Sequence, residues 1–245
     1  MGERSKIEWC KSSWNPWRGC HKISAGCLNC YMYREQYRYG RDPTVVVRSK
    51  TTFRDPLDWE EGRFIFAGSW SDFFIEEADQ WREEAWDIIR QTPRHTYEIL
   101  TKRPERIACH LPDGWPFANV WLGVSVEDRS HGLPRMEILR GVPSVVRFIS
   151  AEPLLGDLGQ ISLEGIHWVI VGGESGPKAR RMEPDWARRL RDLCIEAKVP
   201  FFFKQWGEFD REGRWVGKKK AGRVLDGREW NEMPLTSHHR SAVTA

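Results

Sequence analysis

The chain has 245 residues, of which 40% are hydrophobic and 30% charged, and its formal net charge is +3. This length suffices for one large α/β domain, and the composition excludes fibrous and disordered proteins. No apolar stretch approaches the roughly 20 residues that span a bilayer, and the N-terminal residues lack the apolar segment of a secretory signal. We therefore expect a cytoplasmic protein without a membrane partner. The weak positive charge neither requires nor excludes a nucleic-acid partner.

Cysteines are the first notable feature along the chain. Four of the six lie among the first thirty residues, at Cys10, Cys20, Cys27 and Cys30. Without a secretion signal, such a set argues against a disulfide framework. Cys27 and Cys30 are two residues apart, so both thiolates can face one metal around a tight turn, and Gly26 adds backbone freedom just before it. We predict that Cys20, Cys27 and Cys30 form a three-thiolate metal site.

Three interpretations of this site compete. A structural zinc ion takes four ligands, and His21 or Cys10 would have to supply the fourth. His21 adjoins Cys20, and Cys10 lies far from the other cysteines along the chain. Unligated thiols or a redox pair form the second interpretation. The third, which we favour, is a 4Fe-4S cluster held by three cysteines, with one iron open to an exogenous ligand.

After the cysteine segment, six short apolar runs predict buried strands. They span residues 64–68, 97–101, 120–124, 145–149, 168–172 and 200–203. Their β-branched and aromatic content is typical of a parallel sheet covered on both faces. Residues 78–90 and 185–197 carry the apolar stripe of amphipathic helices. This alternation predicts a parallel α/β fold, either an open sheet or a barrel.

Polar groups follow almost every predicted strand at its carboxyl end. The segments are 69–72, 101–103, 125–128, 150–153, 173–176 and 204–206. In a barrel these ends face one mouth, where active sites are assembled. We therefore predict a partial (β/α)6-type, TIM-like barrel over residues 1–207, with the cysteine loop at its mouth. Residues 208–245 are predicted to form a hairpin or irregular extension packed on the barrel, ending in a flexible tail from Thr236.

Two motifs carry a family resemblance. Residues 15–20 (NPWRGC) and 27–31 (CLNCY) resemble the start of the spore-photoproduct-lyase branch of radical SAM enzymes. The chain resembles a phage-associated three-cysteine family more closely, with similar blocks at residues 7–9, 14–31, 123–127, 151–155, 172–176 and 204–207. One departure is that radical SAM proteins usually space their first two cysteines more closely than the six residues between Cys20 and Cys27.

The resemblance implies cofactors and a reaction class. A radical SAM enzyme binds S-adenosylmethionine at the open iron of its 4Fe-4S cluster, and reductive cleavage gives a 5′-deoxyadenosyl radical that takes a hydrogen atom from the substrate. The electron would come from a flavodoxin- or ferredoxin-type donor. The protein would hold cofactor and substrate in register and exclude water. It would be a monomeric isomerase, mutase or lyase, in the host cytoplasm if phage-encoded.

The resemblance also assigns the cofactor contacts. Ser69, Ser71 and Asp72 would bind the methionine amino group. Lys102 would contact the carboxylate and Ser125 the ribose, in keeping with the chemistry of an ammonium and a hydroxyl group. In addition, the resemblance implies that the aromatic residue after the last cysteine, Tyr31, lies beside the adenine.

Three later residues face the same predicted mouth and complete the catalytic set with the cysteines. Glu152, Glu174 and Lys204 are assigned to the substrate or to the far side of the cofactor, as is Gln205. The structural alternative for Glu152 is an ion pair with an arginine, such as Arg147 or Arg180. The alternative for Glu174 is a carboxylate at a helix start, near the next turn.

The substrate is the least determined part. The resemblance and several Trp–Arg neighbours favour a nucleobase, such as a modified thymine in DNA. These neighbours lie at residues 17–18, 81–82, 214–215 and 228–230, and would combine stacking with phosphate contacts. Arg180, Arg181, Arg188, Arg189 and Arg191 would add phosphate contacts, or simply face solvent. The rival functions are a radical enzyme for a peptide or small molecule, and a non-catalytic, zinc-stabilised nucleic-acid-binding module.

Overall fold

The computed structural model describes residues 2–235, and its main feature is one curled, half-barrel sheet of seven parallel strands. The sheet order is β1-β4-β5-β6-β7-β8-β9, so β1 and β9 are the edge strands. All the strands, in chain order, are β1 (Ser12–Trp14), β2 (Trp17–Arg18), β3 (Val47–Arg48), β4 (Phe64–Ala67), β5 (Thr96–Thr101), β6 (Val120–Ser125), β7 (Val146–Ala151), β8 (Trp168–Gly172), β9 (Phe201–Gln205), β10 (Val224–Leu225) and β11 (Arg228–Glu229).

Six α-helices accompany the sheet in the described residues, and three of them cover its convex face. All six, in chain order, are α1 (Tyr31–Arg38), α2 (Asp55–Asp58), α3 (Asp79–Gln91), α4 (Arg129–Arg140), α5 (Pro184–Ala197) and α6 (Lys218–Ala221). The apolar stripes of α3, α4 and α5 pack on outward-facing strand residues such as Ile65, Ile99 and Leu122 in one large core. Within residues 2–235, no helix is long and apolar enough to cross a bilayer.

The concave face has a second, aromatic core. Alternate strand residues point inward, so Phe66, Trp121, Phe148 and Trp168 meet inside the curl. Trp9 precedes β1 and inserts its ring among them, with its centroid 4.7 Å from that of Phe66 and 6.2 Å from that of Trp168. The segment before β1 therefore fills part of the interior of the half-barrel, and this aromatic layer forms the floor of the space that remains.

The predicted parallel α/β fold is confirmed, and each predicted strand lies within two residues of an observed one. The two predicted helices correspond to α3 and α5. An entry strand near Cys10 was expected without bounds and corresponds to the three-residue β1, whereas the sequence prediction missed α4, whose apolar pattern is interrupted by Pro134. The alternation is also incomplete: the β5–β6 connection contains only short 3-10 turns, and the described β7–β8 connection contains no helix.

After β9 the chain forms an irregular extension with a short hairpin. Strands β10 and β11 pair antiparallel around Asp226 and Gly227, both of which have positive φ. Trp230 ties the hairpin to the sheet, because its Nε1–H donates to the Leu225 carbonyl and its own carbonyl accepts from the Phe203 amide. The predicted flexible tail from Thr236 lies outside the described residues.

The structure corrects the stacking role predicted for two tryptophans. Trp17 is fully buried, and its Nε1–H donates to the Asp72 carbonyl. Trp230 is 7% exposed, with the guanidinium of Arg228 3.4 Å above its ring. Because neither ring has a free face, neither can stack on a base.

Gly173, directly after β8, allows a close backbone crossing that supports the mouth of the half-barrel. A Cβ at this position would lie 1.9 Å from the Trp206 carbonyl oxygen. We expect Gly173→Ala to lower the free energy of unfolding by about 2 to 3 kcal/mol, measured by urea denaturation. Gly141→Ala is the control, because Gly141 has a right-handed helical conformation and an added Cβ would make only ordinary contact. Equal effects of the two substitutions would contradict this account of the crossing.

Candidate active site

The carboxyl ends of the strands surround one cavity of about 680 Å³. All twelve residues predicted for the site line it. They are Cys20, Cys27, Cys30, Tyr31, Ser69, Ser71, Asp72, Lys102, Ser125, Glu152, Glu174 and Lys204. The parallel topology brings these scattered residues together, because every strand delivers its carboxyl end to the same edge. The cysteines form one part of the lining, and the Glu152 and Lys204 pair forms another part, which we call the far end.

The cysteine loop makes the predicted tight turn. Residues Ala25–Cys27 form a 3-10 turn, the Cys30 amide donates to the Cys27 carbonyl at 3.3 Å, and α1 begins directly after Cys30. The longer stretch from Cys20 to Cys27 folds back beside it, close enough for Cys27 to raise the pKa of both other thiols, although burial is the larger cause. The three thiols therefore share one end of the cavity.

The donor chemistry of this end suits a thiolate-ligated iron–sulfur or zinc centre. In residues 2–235, however, no three His, Cys, Asp or Glu side chains converge as a ready ligand group. The Cys20 thiol faces the His21 carbonyl at 3.6 Å, and the Cys27 thiol faces the Ser24 hydroxyl at 3.8 Å. Binding one metal centre therefore requires the thiols to leave these neighbours and turn inward.

Asp72 anchors an arginine beside the first cysteine. Its carboxylate accepts from the Thr101 hydroxyl at 2.6 Å and from the Arg103 guanidinium at 3.2 Å, with further bonds from the amides of Phe74 and Lys102. The guanidinium also donates to the Cys20 sulfur at 3.8 Å. Burial raises the pKa of Cys20 to about 12, and the Arg103 charge opposes that rise. Sequence reasoning missed Arg103, although the polar end of β5 was the available signal.

The serine loop after β4 fastens the cysteine segment to the sheet. The Ser71 hydroxyl donates to the Gly19 carbonyl at 2.6 Å, and the Ser69 hydroxyl exchanges hydrogen bonds with the Asn15 amide. Tyr31 donates its hydroxyl to the Ser69 carbonyl at 2.6 Å. These bonds position Tyr31 along the cavity wall, where its ring is available to a flat ligand.

Glu127 holds the cysteine loop from the end of β6. Its side chain is fully buried and accepts from the Ser24 hydroxyl and, at 2.6 Å, from Arg135 of α4. Burial acts to raise the pKa of this carboxyl, but Lys102, Arg135 and Ser24 together lower it below its ordinary value. Gly26 permits this approach, because a Cβ there would lie 3.1 Å from the Glu127 carboxylate.

Glu174 makes the corresponding contact from the end of β8. It accepts from the Arg180 guanidinium at 2.5 Å and from the Asn29 amide at 3.0 Å, and Arg180 also donates to the Ala25 carbonyl. This pairing corrects the phosphate role predicted for Arg180, whose charge is already matched. Glu174 fits neither a free catalytic acid nor a helix start, because it holds the loop that carries Cys27 and Cys30.

The far end of the cavity contains a further ion pair. Lys204 donates to Glu152 at 2.5 Å above Gly172, so Glu152 pairs with neither Arg147 nor Arg180. A register shift between β8 and β9 pairs Gly172 with Gln205 rather than with Lys204. Such a bulge brings two consecutive side chains to one face, which explains how Lys204 and Gln205 both line the cavity.

Several buried polar atoms of the cavity lining have no hydrogen-bond partner among the described residues. They belong to side chains that line the cavity, and they are Glu8 Oε2, Trp9 Nε1, Ser13 Oγ, Ser150 Oγ and Gln205 Oε1. The Gln205 amide nitrogen donates to the Gly173 carbonyl at 3.1 Å, which leaves its oxygen free to accept. Because unpaired buried polar groups are costly, this set indicates a polar ligand.

The other predicted phosphate contacts are also matched by acids. Arg188 and Arg191 both pair with Asp226, Arg189 pairs with Asp157, and Arg181 pairs with Glu183. Their charges stabilise the packing of α5 on the hairpin and on neighbouring loops. This arrangement corrects the prediction that α5 presents free arginines to a nucleic acid.

Residues 4–234 match the model of a family described as Protein of unknown function (DUF5131). The chain belongs to this family. No curated protein and no solved structure gives a significant match. The DUF5131 match includes the cysteine loop, all seven strands of the sheet and the C-terminal hairpin.

The buried Glu127 pair generates a pH-dependent prediction. The pKa of Glu127 in the folded protein lies below its ordinary value of 4.5. The stability that this carboxylate contributes is therefore present above pH 4.5 and is lost as the pH falls through the pKa of the folded state. We expect Glu127→Gln to lower the unfolding free energy by about 3 kcal/mol near neutral pH, with a smaller difference from the wild type in acid.

Urea denaturation near neutral pH and in acid measures the free energy of unfolding of the variant and the wild type. Glu137→Gln is the matched control, because Glu137 pairs with Arg140 on the same α4 helix but has a 68% exposed side chain. It should change stability by no more than about 0.5 kcal/mol. A Glu127 effect as small as the control, or one that grows in acid, would show that this pair does not hold the loop.

Proposed function

We propose that this DUF5131 chain is a radical SAM enzyme that starts a rearrangement or isomerisation on a nucleobase, with a modified thymine in phage DNA as its substrate class. In this proposal Cys20, Cys27 and Cys30 hold a 4Fe-4S cluster with one iron open to S-adenosylmethionine. The observation that carries it is a single cavity lined both by three thiols and by several unpartnered polar groups. Its volume of about 680 Å³ is within the range of cofactor sites.

The cavity walls offer suitable groups for such a cofactor. Lys102 has no ion-pair partner within bonding distance in the described residues, and its charge acts on both Cys30 and Glu127. It is the chemically apt partner for a methionine carboxylate, while Ser125 at the end of β6 suits a ribose hydroxyl and the Tyr31 ring suits an adenine face. When bound, the cluster and S-adenosylmethionine would supply one-electron chemistry that activates a carbon–hydrogen bond.

The chain's own residues would position the reactants and exclude water. The aromatic core around Trp9 closes the bottom of the half-barrel, and Phe66 and Leu100 form part of the cavity lining. These rings and aliphatic side chains exclude water from the lower part of the cavity. In this proposal the half-barrel acts as an incomplete (β/α)6, TIM-like barrel, with its active site at the carboxyl ends of the strands.

The far end of the cavity supports a nucleobase as substrate. A pyrimidine imide presents acceptor, donor and acceptor groups along one edge. Gln205 Oε1 can accept from the imide N–H, while Trp9 Nε1–H and the Ser150 hydroxyl can donate to its carbonyl groups. The Lys204 and Glu152 ion pair lines the same cavity and adds a donor and an acceptor for the substrate.

Cleavage of the cofactor tests the proposal directly. We expect protein reconstituted with iron and sulfide without oxygen to release 5′-deoxyadenosine, or a methionine-bearing product, from S-adenosylmethionine and dithionite. Cys27→Ala should abolish this release, because the cluster would lose one of its three ligands. Cys109→Ala is the matched control, because Cys109 is exposed and lies outside the cavity lining. Iron-loaded wild-type protein that leaves S-adenosylmethionine intact would refute the radical SAM function.

Lys102 supplies a separate test of how the cofactor is held. We expect Lys102→Met to weaken binding of S-adenosylmethionine to the reconstituted protein by about tenfold or more, because a charge-assisted bond to the carboxylate is lost. Lys178→Met removes an exposed lysine outside the cavity lining and should leave affinity unchanged. Equal affinities of the Lys102 variant and the wild type, measured by equilibrium dialysis, would remove Lys102 from the cofactor site.

A further inference from the structure

Large aromatic rings are exposed on the outer side of the cysteine end. Tyr37 and Tyr39, at the end of α1, are 64% and 59% exposed. The Tyr39 ring lies against Trp70, with the centroids 6.1 Å apart and the planes tilted by 38°. We call the surface formed by Tyr37, Tyr39, Trp70, Arg18 and Arg41 the aromatic rim. The Tyr37 ring contacts Tyr33, with the centroids 6.5 Å apart, so exposed aromatic rings surround the end of α1.

Two arginines share this surface. The Arg41 guanidinium lies 5.5 Å from the centre of the Tyr39 ring. Arg18, on β2, is close enough to Arg41 for the second charge to help lower its pKa, although burial is the larger cause. Neither arginine forms an ion pair with any residue from 2 to 235, and the nearby Asp42 carboxylate is bonded to Thr44 instead. The arginines of α5 are all matched by acids, whereas Arg18 and Arg41 leave two positive charges open to an anionic partner.

The aromatic rim adjoins the mouth of the cavity. Trp70 lies between Ser69 and Ser71, both of which line the cavity, and its carbonyl accepts from the Gly19 amide at 3.0 Å. Tyr31, at the start of α1, also lines the cavity, whereas Tyr37 lies nearly two turns further along the same helix. A polymer lying on the rim would therefore pass beside the opening that leads to the cysteines.

We propose that the aromatic rim binds a single-stranded segment of DNA and delivers one of its bases to the cavity. Exposed rings next to unmatched guanidinium groups match the pattern that binds single strands, in which bases stack on aromatic faces and arginines contact phosphates. A duplex fits less well, because its bases are already stacked on one another. The inference rests on the nucleobase part of the proposed function but requires neither the cluster nor S-adenosylmethionine.

Binding of a labelled oligothymidylate to the metal-free protein, followed by fluorescence anisotropy, tests the rim. We expect Tyr39→Ala to weaken binding about fivefold or more, because one stacking face is lost, and Tyr39→Phe to retain most of the affinity. Replacing both arginines (Arg18→Gln with Arg41→Gln) should reduce the slope of log K against log salt by about 1.4, the value for two phosphate contacts with a single strand.

Matched controls lie on the C-terminal extension. Trp215→Ala removes a 50% exposed ring, and Arg211→Gln removes an exposed arginine, both outside the aromatic rim. Neither control should change affinity or salt dependence. Circular dichroism and the thermal midpoint would check that every variant is folded.

Any of three results would overturn the proposal that the rim binds a single strand. The Tyr39→Ala variant could bind the oligothymidylate as tightly as the wild type does. Duplex DNA or single-stranded RNA could bind more tightly than the oligothymidylate, or inorganic polyphosphate could compete with it equally well. The test is independent of cluster chemistry. Protein that binds the strand through the rim but cleaves no S-adenosylmethionine would leave the rim in place and refute the radical SAM function. Protein that cleaves S-adenosylmethionine but does not bind the strand would refute the rim proposal and leave the radical SAM function in place.

Discussion

Three buried carboxylates hold the cysteine loop against the half-barrel, and the geometry of the site depends on them. Asp72, Glu127 and Glu174 follow β4, β6 and β8, and their side chains are at most 7% exposed. Each pairs with an arginine, respectively Arg103, Arg135 and Arg180. A buried pair adds little net stability over an apolar packing, but removing one partner leaves an unmatched charge. These pairs therefore act mainly to specify where the loop lies.

This arrangement explains why acids and thiols occur so close together. Carboxylates disfavour a nearby thiolate, and Asp72 does raise the pKa of Cys20. The paired arginines compensate, because Arg103 places positive charge next to the Cys20 sulfur and Lys102 acts on Cys30. The positive charges of Arg103 and Lys102 therefore oppose, without cancelling, the burial that raises the pKa of Cys20 and Cys30.

The two ends of the cavity complement each other. Hydrogen bonds fix the backbone around the cysteines, whereas the far end contains unpartnered polar atoms above an aromatic floor. The first arrangement suits a resident group that must be held in one position. The second suits a ligand that enters, satisfies the open donors and acceptors, and leaves. The aromatic rim outside the cysteine end offers a route by which a strand could supply such a ligand.

Much of this site could be predicted from the sequence, because parallel strands place their carboxyl ends together whatever their order. The polar groups after each predicted strand were therefore expected at one mouth, and all twelve site residues line the cavity. Side-chain pairing could not be predicted in the same way. Glu152 and Lys204 were both expected at the mouth, but their ion pair was not, and the alternative for Glu152 named an arginine, since sequence order does not show which charges meet across a sheet.

The stacking prediction was wrong at Trp17 and Trp230 for a related reason. A neighbouring tryptophan and arginine look the same in the sequence whether the tryptophan ring faces the core or the solvent. Burial depends on which elements pack over that ring, and for Trp17 these include the loop that carries Asp72. The exposed rings of Tyr37 and Tyr39 gave no sequence signal, because α1 was not predicted as a helix.

The central claim is that Cys20, Cys27 and Cys30 hold one iron–sulfur centre. The most direct measurement is the iron, sulfide and zinc content of protein purified and reconstituted without oxygen. We predict about four iron and four sulfide per chain with little zinc, and loss of this uptake in each single alanine variant of these cysteines but not in Cys109→Ala. Colourless protein that takes up no iron or sulfide, with about one zinc per chain, would contradict the account and favour a zinc-stabilised binding module.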